Sequence, residues 1–244
     1  MRGAPSAVTP WPMFTIGDVD KSRRVREVVK EPPLEPRIRH LAFILALTVT
    51  GNEDDLDTHL RVALDDGVPE RDIREILLQS ILFGGFPRAI NGFDALEDVL
   101  GRSRPSGGAP VPPFYSVRPD EVALWRERGE KLFATIYRHI TADVLWGLHE
   151  SHPELGRSIV LDGYGKILAR PELEARAREL SAVAALTALD APRQLLAHMR
   201  GARRVGAKPE EIRAAVAQMD LYAPEEVMRR ALGYCDKLRK ELAH

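Results

Sequence analysis

Adding 139 to each residue number from 37 to 82 aligns the chain with itself without a gap. Arg37 meets Arg176, Arg39 meets Arg178, and Leu41 meets Leu180. The run Ala46, Leu47, Thr48 meets Ala185, Leu186, Thr187; Leu56 meets Leu195; and Gly67 meets Gly206. Ile73, Arg74, Gln79 and Leu82 meet Ile212, Arg213, Gln218 and Leu221. A fixed offset of this kind means two copies of one structural unit. Apolar matches are what any two helices of one fold would share. A histidine is different: His59 sits among Leu56, Leu60, Ala63 and Leu64 on a face that should be buried, and His198 repeats it in the same register.

The repeated unit is helical. Apolar residues recur at spacings of three and four, and no stretch sustains the alternation of a half-buried strand. "LDTHLRVALDDG" ends on Gly67 as a helix C-terminal signal. Segments such as "PELEARAREL", "PRQLLAHMRG", "PEEIRAAVAQM" and "PEEVMRRALGY" start at proline, most of them followed by carboxylates that favour the helix N-terminus. "PDEVALWRERGEKLFATIYRHITADVLWGL" reads as one such helix, and "DGYGKIL" as a turn. The "GRSRPSGGAPVPP" stretch, 101–113, cannot support a packed element. The expected plan is all-α: an arm over 1–30, a first repeat over 31–100, a linker over 101–117 and a second repeat over 118–244. A pseudo-twofold axis should relate the repeats.

Bulk composition narrows the function classes. A net charge of −1, with no basic tract and few aromatics, gives no nucleic-acid footprint. The longest apolar run, Leu41 to Val49, is too short to span a bilayer. The opening "MRGAPSAVTPWPMF" places prolines where an export signal needs an apolar run, so a cytoplasmic home is expected. The single cysteine, Cys235, excludes an internal disulfide or a CxxC site, and its stripe of Met228, Ala231, Leu232 and Leu238 marks it as core. "HESH", ending at His152, lacks a repeated ligand spacing, and neither a metal nor a cofactor is expected.

These motifs, with "GVPERDIREILLQSILFGGFPRAINGF" in the first half and "PELGRSIVLDGYGKIL" in the second, resemble the carboxymuconolactone decarboxylase and alkylhydroperoxidase D-like superfamily. The resemblance covers roughly 36–100 and 120–240. It implies an all-helical tandem of alkylhydroperoxidase D-like domains that assembles through its helices. Single-domain relatives form trimers or hexamers, so a homotrimer is expected ahead of a hexamer. Long apolar helices such as "LAFILALTV" and "LSAVAALTAL" also ask for cover that one small domain can hardly provide.

In the peroxidase branch of that superfamily, two cysteines precede the shared histidine by seven and four positions and a glutamate by nineteen. Here those places hold Asn52, Asp55 and His40 before His59, and Ala191, Gln194 and Glu179 before His198. The thiolate is the nucleophile of disulfide-based peroxide reduction, and none of these side chains replaces it. Decarboxylation asks for less: a cation to hold carboxylates, an acid to return a proton, and apolar walls. The expected activity is cofactor-free decarboxylation of the 4-carboxymuconolactone type, on a small carboxylated lactone or related acid. His198, Glu179 and His59 are its candidate catalytic residues, and Arg178, Arg39, Gln194 and His40 its candidate substrate-binding residues. A non-redox ligand-binding or assembly role without chemistry is the alternative; thiol peroxidase is a distant third.

Overall fold

The computed structural model describes residues 23, 26, 27, 30, 32–102 and 117–241. Nearly all of the expected arm and linker lies outside these. The described residues contain helices and turns and no strand. The first repeat consists of α1 (Pro36–Thr50), α2 (Glu53–Asp65), α3 (Glu70–Gln79) and α4 (Ile81–Val99). Next come α5 (Pro119–Tyr137), α6 (Thr141–Ser151) and α7 (Pro153–Ser158). They are followed by α8 (Ala175–Ala188), α9 (Pro192–Arg204), α10 (Pro209–Ala217) and α11 (Glu225–Glu241).

The 139-residue offset carries α1 onto α8, α2 onto α9 and α3 onto α10 with their starts in register. Equivalent turns match as well. Gly51 closes α1 in the left-handed region at φ 73°, and Asp190, its counterpart, takes φ 48°. Gly67 and Gly206 do the same after α2 and α9, where a side chain would be strained.

α1 and α8 pack on each other at the centre. Every residue from Ile38 to Val49, and from Ala177 to Thr187, is buried. Helices apolar on all sides need cover all round, and within one chain each repeat supplies it to the other. Each large side chain so buried contributes roughly 1.5–3 kcal/mol. The cover that one small domain can hardly provide comes here from the other repeat of the same chain.

Reciprocal ion pairs mark the pseudo-twofold axis. Arg37 holds Asp72 of its own repeat at 2.8 Å and reaches across to Glu174. Arg176, its counterpart, holds Glu211 of its own repeat and reaches back to Glu35 at 3.1 Å.

Two local expectations fail. The long helix after Pro119 breaks at Arg138, where φ is 51°, into a short 3₁₀ turn before α6. "DGYGKIL" is no turn: Ile159–Leu168 form a π-helix packed on α5. Glycines make that contact possible. A Cβ on Gly129 would lie 2.2 Å from the Val160 carbonyl oxygen, and one on Gly165 would lie 2.1 Å from that of Trp125. Phe133, Ile136, Tyr164 and Leu168 form a small second core here.

Candidate functional site

In the second repeat, α8 carries Glu179 and α9 carries His198. Nδ1 of His198 lies 2.9 Å from Oε2 of Glu179, the separation expected of two side chains on adjacent antiparallel helices. The helix bearing Glu179 starts at Ala175, not near Pro171, because Pro171–Leu173 form a turn. Glu179 is 2 % exposed, while the His198 side chain keeps 15 % of its surface open. Gly201, one turn beyond His198, leaves room for the carboxylate: a Cβ there would come within 2.8 Å of Oε2. Ile136 of α5 borders the same spot at 3.5 Å, and Phe83 of the first repeat meets the imidazole edge-on at 5.5 Å. The ring thus meets a carboxylate at Nδ1 and an aromatic side chain of the other repeat. Gln194 is exposed one turn before His198, on the same side of α9.

The first repeat does not reproduce this geometry. His40 and His59, the counterparts of Glu179 and His198, are both wholly buried. Each Nδ1 lacks a partner, and each Nε2 turns to a third residue. Nε2 of His40 lies 3.2 Å from Asp66 Oδ2, and Nε2 of His59 lies 2.8 Å from the Tyr222 hydroxyl. Burial pushes the His59 pKa down to about 3, and the charge of His40 adds to that. Burial also lowers the His40 pKa, with Asp66 opposing and Arg26 assisting. A sealed, neutral imidazole stacked 4.5 Å from Phe43 is out of reach of a diffusing substrate. The histidine that raised the functional question is thus a core residue, and its copy holds the accessible position.

The two arginines also part company. Arg178 is wholly buried, with Nη2 2.6 Å from Glu75 Oε2 and Nε 3.2 Å from the Leu173 carbonyl. Glu75 in turn accepts two bonds from Arg170, each 2.8 Å. Burial raises the Glu75 pKa, but the hydrogen bonds from Arg170 and Arg178 outweigh it and hold the carboxyl below its usual range. The expectation that Arg178 grips a substrate is corrected: its charge is committed to a knot between the repeats. Arg39 instead lines a cavity with Ala214 and Gln218, and neither repeat histidine is part of that lining.

Tyr222, Phe83 and Glu75 were not singled out by motif. The repeat alignment held a signal for the first two, because one step past Leu82 and Leu221 pairs Phe83 with Tyr222. Each contacts the histidine of the opposite repeat. Cys235 is buried on α11, and burial lifts its thiol to about 11, which suits packing. "HESH" is divided between elements: His149 lies exposed in the last turn of α6, and His152 caps α7 by accepting the Glu154 N–H at 3.1 Å. Among the described residues no group of three or more His, Cys, Asp or Glu could hold a metal ion. Nor is any described helix long and apolar enough to cross a membrane.

The chain is similar to three curated proteins. Peroxisomal protein 2 of Schizosaccharomyces pombe is 28 % identical over 186 residues, 75 % of this chain and 84 % of the relative. Peroxisomal protein 2 of Saccharomyces cerevisiae is 26 % identical over 160 residues, 58 % of this chain and 56 % of the relative. The 4-carboxymuconolactone decarboxylase of Acinetobacter baylyi is 33 % identical over 74 residues, 30 % of this chain and 55 % of the relative. The model of the carboxymuconolactone decarboxylase family matches residues 22–98 and 157–237, one segment in each repeat. With two matches that together cover more than half of its length, the chain belongs to the carboxymuconolactone decarboxylase family.

Proposed function

We propose that the protein is a cofactor-free carboxy-lyase that acts on a small carboxylated lactone or related acid through His198 and Glu179. The 2.9 Å contact between Nδ1 of His198 and Glu179 carries this reading. In such a reaction the bond between the substrate carbon and its carboxylate breaks and CO₂ leaves. The electron pair passes into the conjugated lactone as an enolate, and the carbon then takes a proton. The charged ring of His198 donates it from Nε2, the nitrogen Glu179 does not engage. The ring returns to its neutral form with Nδ1–H held by the carboxylate, and solvent restores the lost proton. Phe83 and Ile136 supply apolar walls that strengthen the electrostatic contacts inside the site.

A second reading has its own support: the two relatives that match this chain over the greatest lengths carry a name that states no activity. Under it the chain binds a small ligand or serves in assembly, without chemistry. The same names favour a peroxisomal setting over the cytoplasmic one, which imaging of a tagged chain in cells would decide.

The deciding assay follows CO₂ release from 4-carboxymuconolactone and from related lactone acids. Wild type should turn over at least one of them, His198→Ala should abolish turnover with its circular dichroism intact, and His59→Ala should retain activity. A folded wild-type protein that releases no CO₂ from any of them favours the binding role.

A further inference from the structure

Between α5, α6, α7 and the π-helix lies a cleft of about 690 Å³. It contains neither His198 nor Glu179, and two of its walls, α5 and α6, lie outside both segments that match the family model. Leu145, Val160 and Leu161 line it and are half-buried; Trp146, also in the lining, is 65 % exposed and so stands at the rim. No residue of α6 is fully buried, so its apolar side chains still have surface to lose to a ligand. An apolar cleft of this size with a few charged groups at its edge is the usual form of a small-molecule site.

The charges narrow the ligand. Arg126, Glu130 and Arg157 line the cleft, and Arg157 is engaged by Glu154 at 2.8 Å. Arg126 and Glu130 lie four residues apart on α5, both exposed, yet neither side chain makes an ion pair or a hydrogen bond among the described residues. Their order along the helix accounts for this. Arg61, Arg74 and Arg229 each pair with an acid four residues earlier, namely Asp57, Glu70 and Glu225. That order suits a helix, whereas Arg126 precedes its acid. One uncommitted cation and one uncommitted anion thus stand about one helical turn apart beside an apolar surface. A ligand with a single charge would satisfy one of them and be repelled by the other. A zwitterion with an apolar body satisfies both.

We propose that this cleft binds a small aliphatic amino acid, its carboxylate on Arg126, its ammonium on Glu130 and its side chain against Leu145, Val160 and Leu161.

Isothermal titration of the full chain tests this with three probes that share one side chain: L-leucine; 4-methylpentanoate, which lacks the ammonium; and 3-methylbutylamine, which lacks the carboxylate. Leucine should bind, and each analogue should bind at least about tenfold more weakly. Arg126→Gln should lower leucine to the level of the amine and leave the amine's own affinity unchanged. Glu130→Gln should lower leucine to the level of 4-methylpentanoate without weakening that acid. A merely structural effect would weaken all three probes together, and circular dichroism checks that both variants fold. His198→Ala should leave leucine affinity unchanged, so loss of turnover and loss of binding are read separately. Failure of leucine to bind, analogues that bind as tightly as leucine, leucine affinity unchanged in either variant of α5, or its loss in His198→Ala would overturn the proposal.

Discussion

The Tyr222 hydroxyl stands 2.8 Å from Nε2 of His59, so a residue of the second repeat supplies the hydrogen bond of a sealed histidine in the first. Phe83, at the matching place across the axis, packs on His198 with no polar atom to offer. Tyr222→Phe should therefore leave a buried ring nitrogen without a partner and cost about 1–3 kcal/mol. A urea midpoint unchanged from wild type would contradict that assignment.

Glu75 is the centre of the buried knot that joins Arg170 and Arg178. Glu75→Ala should cost about 3–5 kcal/mol, because it strands the Arg178 guanidinium in the interior. The double variant Glu75→Leu with Arg178→Met removes both charges and should lose less than Glu75→Ala alone. Chemical denaturation of the two proteins side by side gives the answer.

Acid should weaken the fold through His59. Its pKa is depressed to about 3 in the native protein, against about 6.5 in an unfolded chain. Above that upper value neither state binds the proton, and stability is at its full level. As the pH falls below it, the unfolded chain takes up a proton that the native state refuses, so stability declines by about 1.4 kcal/mol per pH unit until the native ring titrates. His40, lowered in the same direction, steepens the loss. Unfolding free energies measured between neutral and acid pH should show this slope, and it should flatten in His59→Phe.

Glu179→Gln keeps the shape of the proposed site and removes its charge. Turnover should fall by about 10²–10⁴, the range typical of an acid–base group, with a much smaller change in KM. An equal loss in KM alone would point to a substrate-holding role. Alkylhydroperoxide reduction with a dithiol should stay at background, and Cys235→Ser should change nothing.

Phe86 is 68 % exposed, Ile90 52 % and Trp146 65 %. Apolar side chains of this size left in water motivate the expected assembly better than α1 and α8 do. Light scattering at micromolar concentration should give the mass of a trimer, and Trp146→Glu or Phe86→Glu should lower it. A monomeric wild type would set the expectation aside.

The helical plan and the site pair were legible because both rest on spacing. Offset by 139, the pattern that buries Leu41 also buries Leu180, and the pattern that places His59 places His198. What spacing cannot convey is which partner a polar side chain meets. Arg39 and Arg178 are one residue type at one register, and they differ because Glu75 lies across from one and Ala214 across from the other. His59 and His198 differ through a hydroxyl at residue 222 and a carboxylate at residue 179. The π-helix went unread for another reason: Gly163 and Gly165 resemble turn signals, whereas Gly165 serves close contact of backbones with α5.

Two copies joined in one chain also have a freedom that a symmetric dimer of one short chain lacks. In such a dimer every substitution is made on both sides of the axis at once, so a change that empties one half empties both. Here each half mutates alone. The glutamate knot around Arg178 can go on fastening the molecule while the mirror of Glu75 becomes Ala214, and the sealed histidine can stabilise the core while its twin stays open to solvent. The covalent link lets one architecture divide labour between holding itself together and meeting something else.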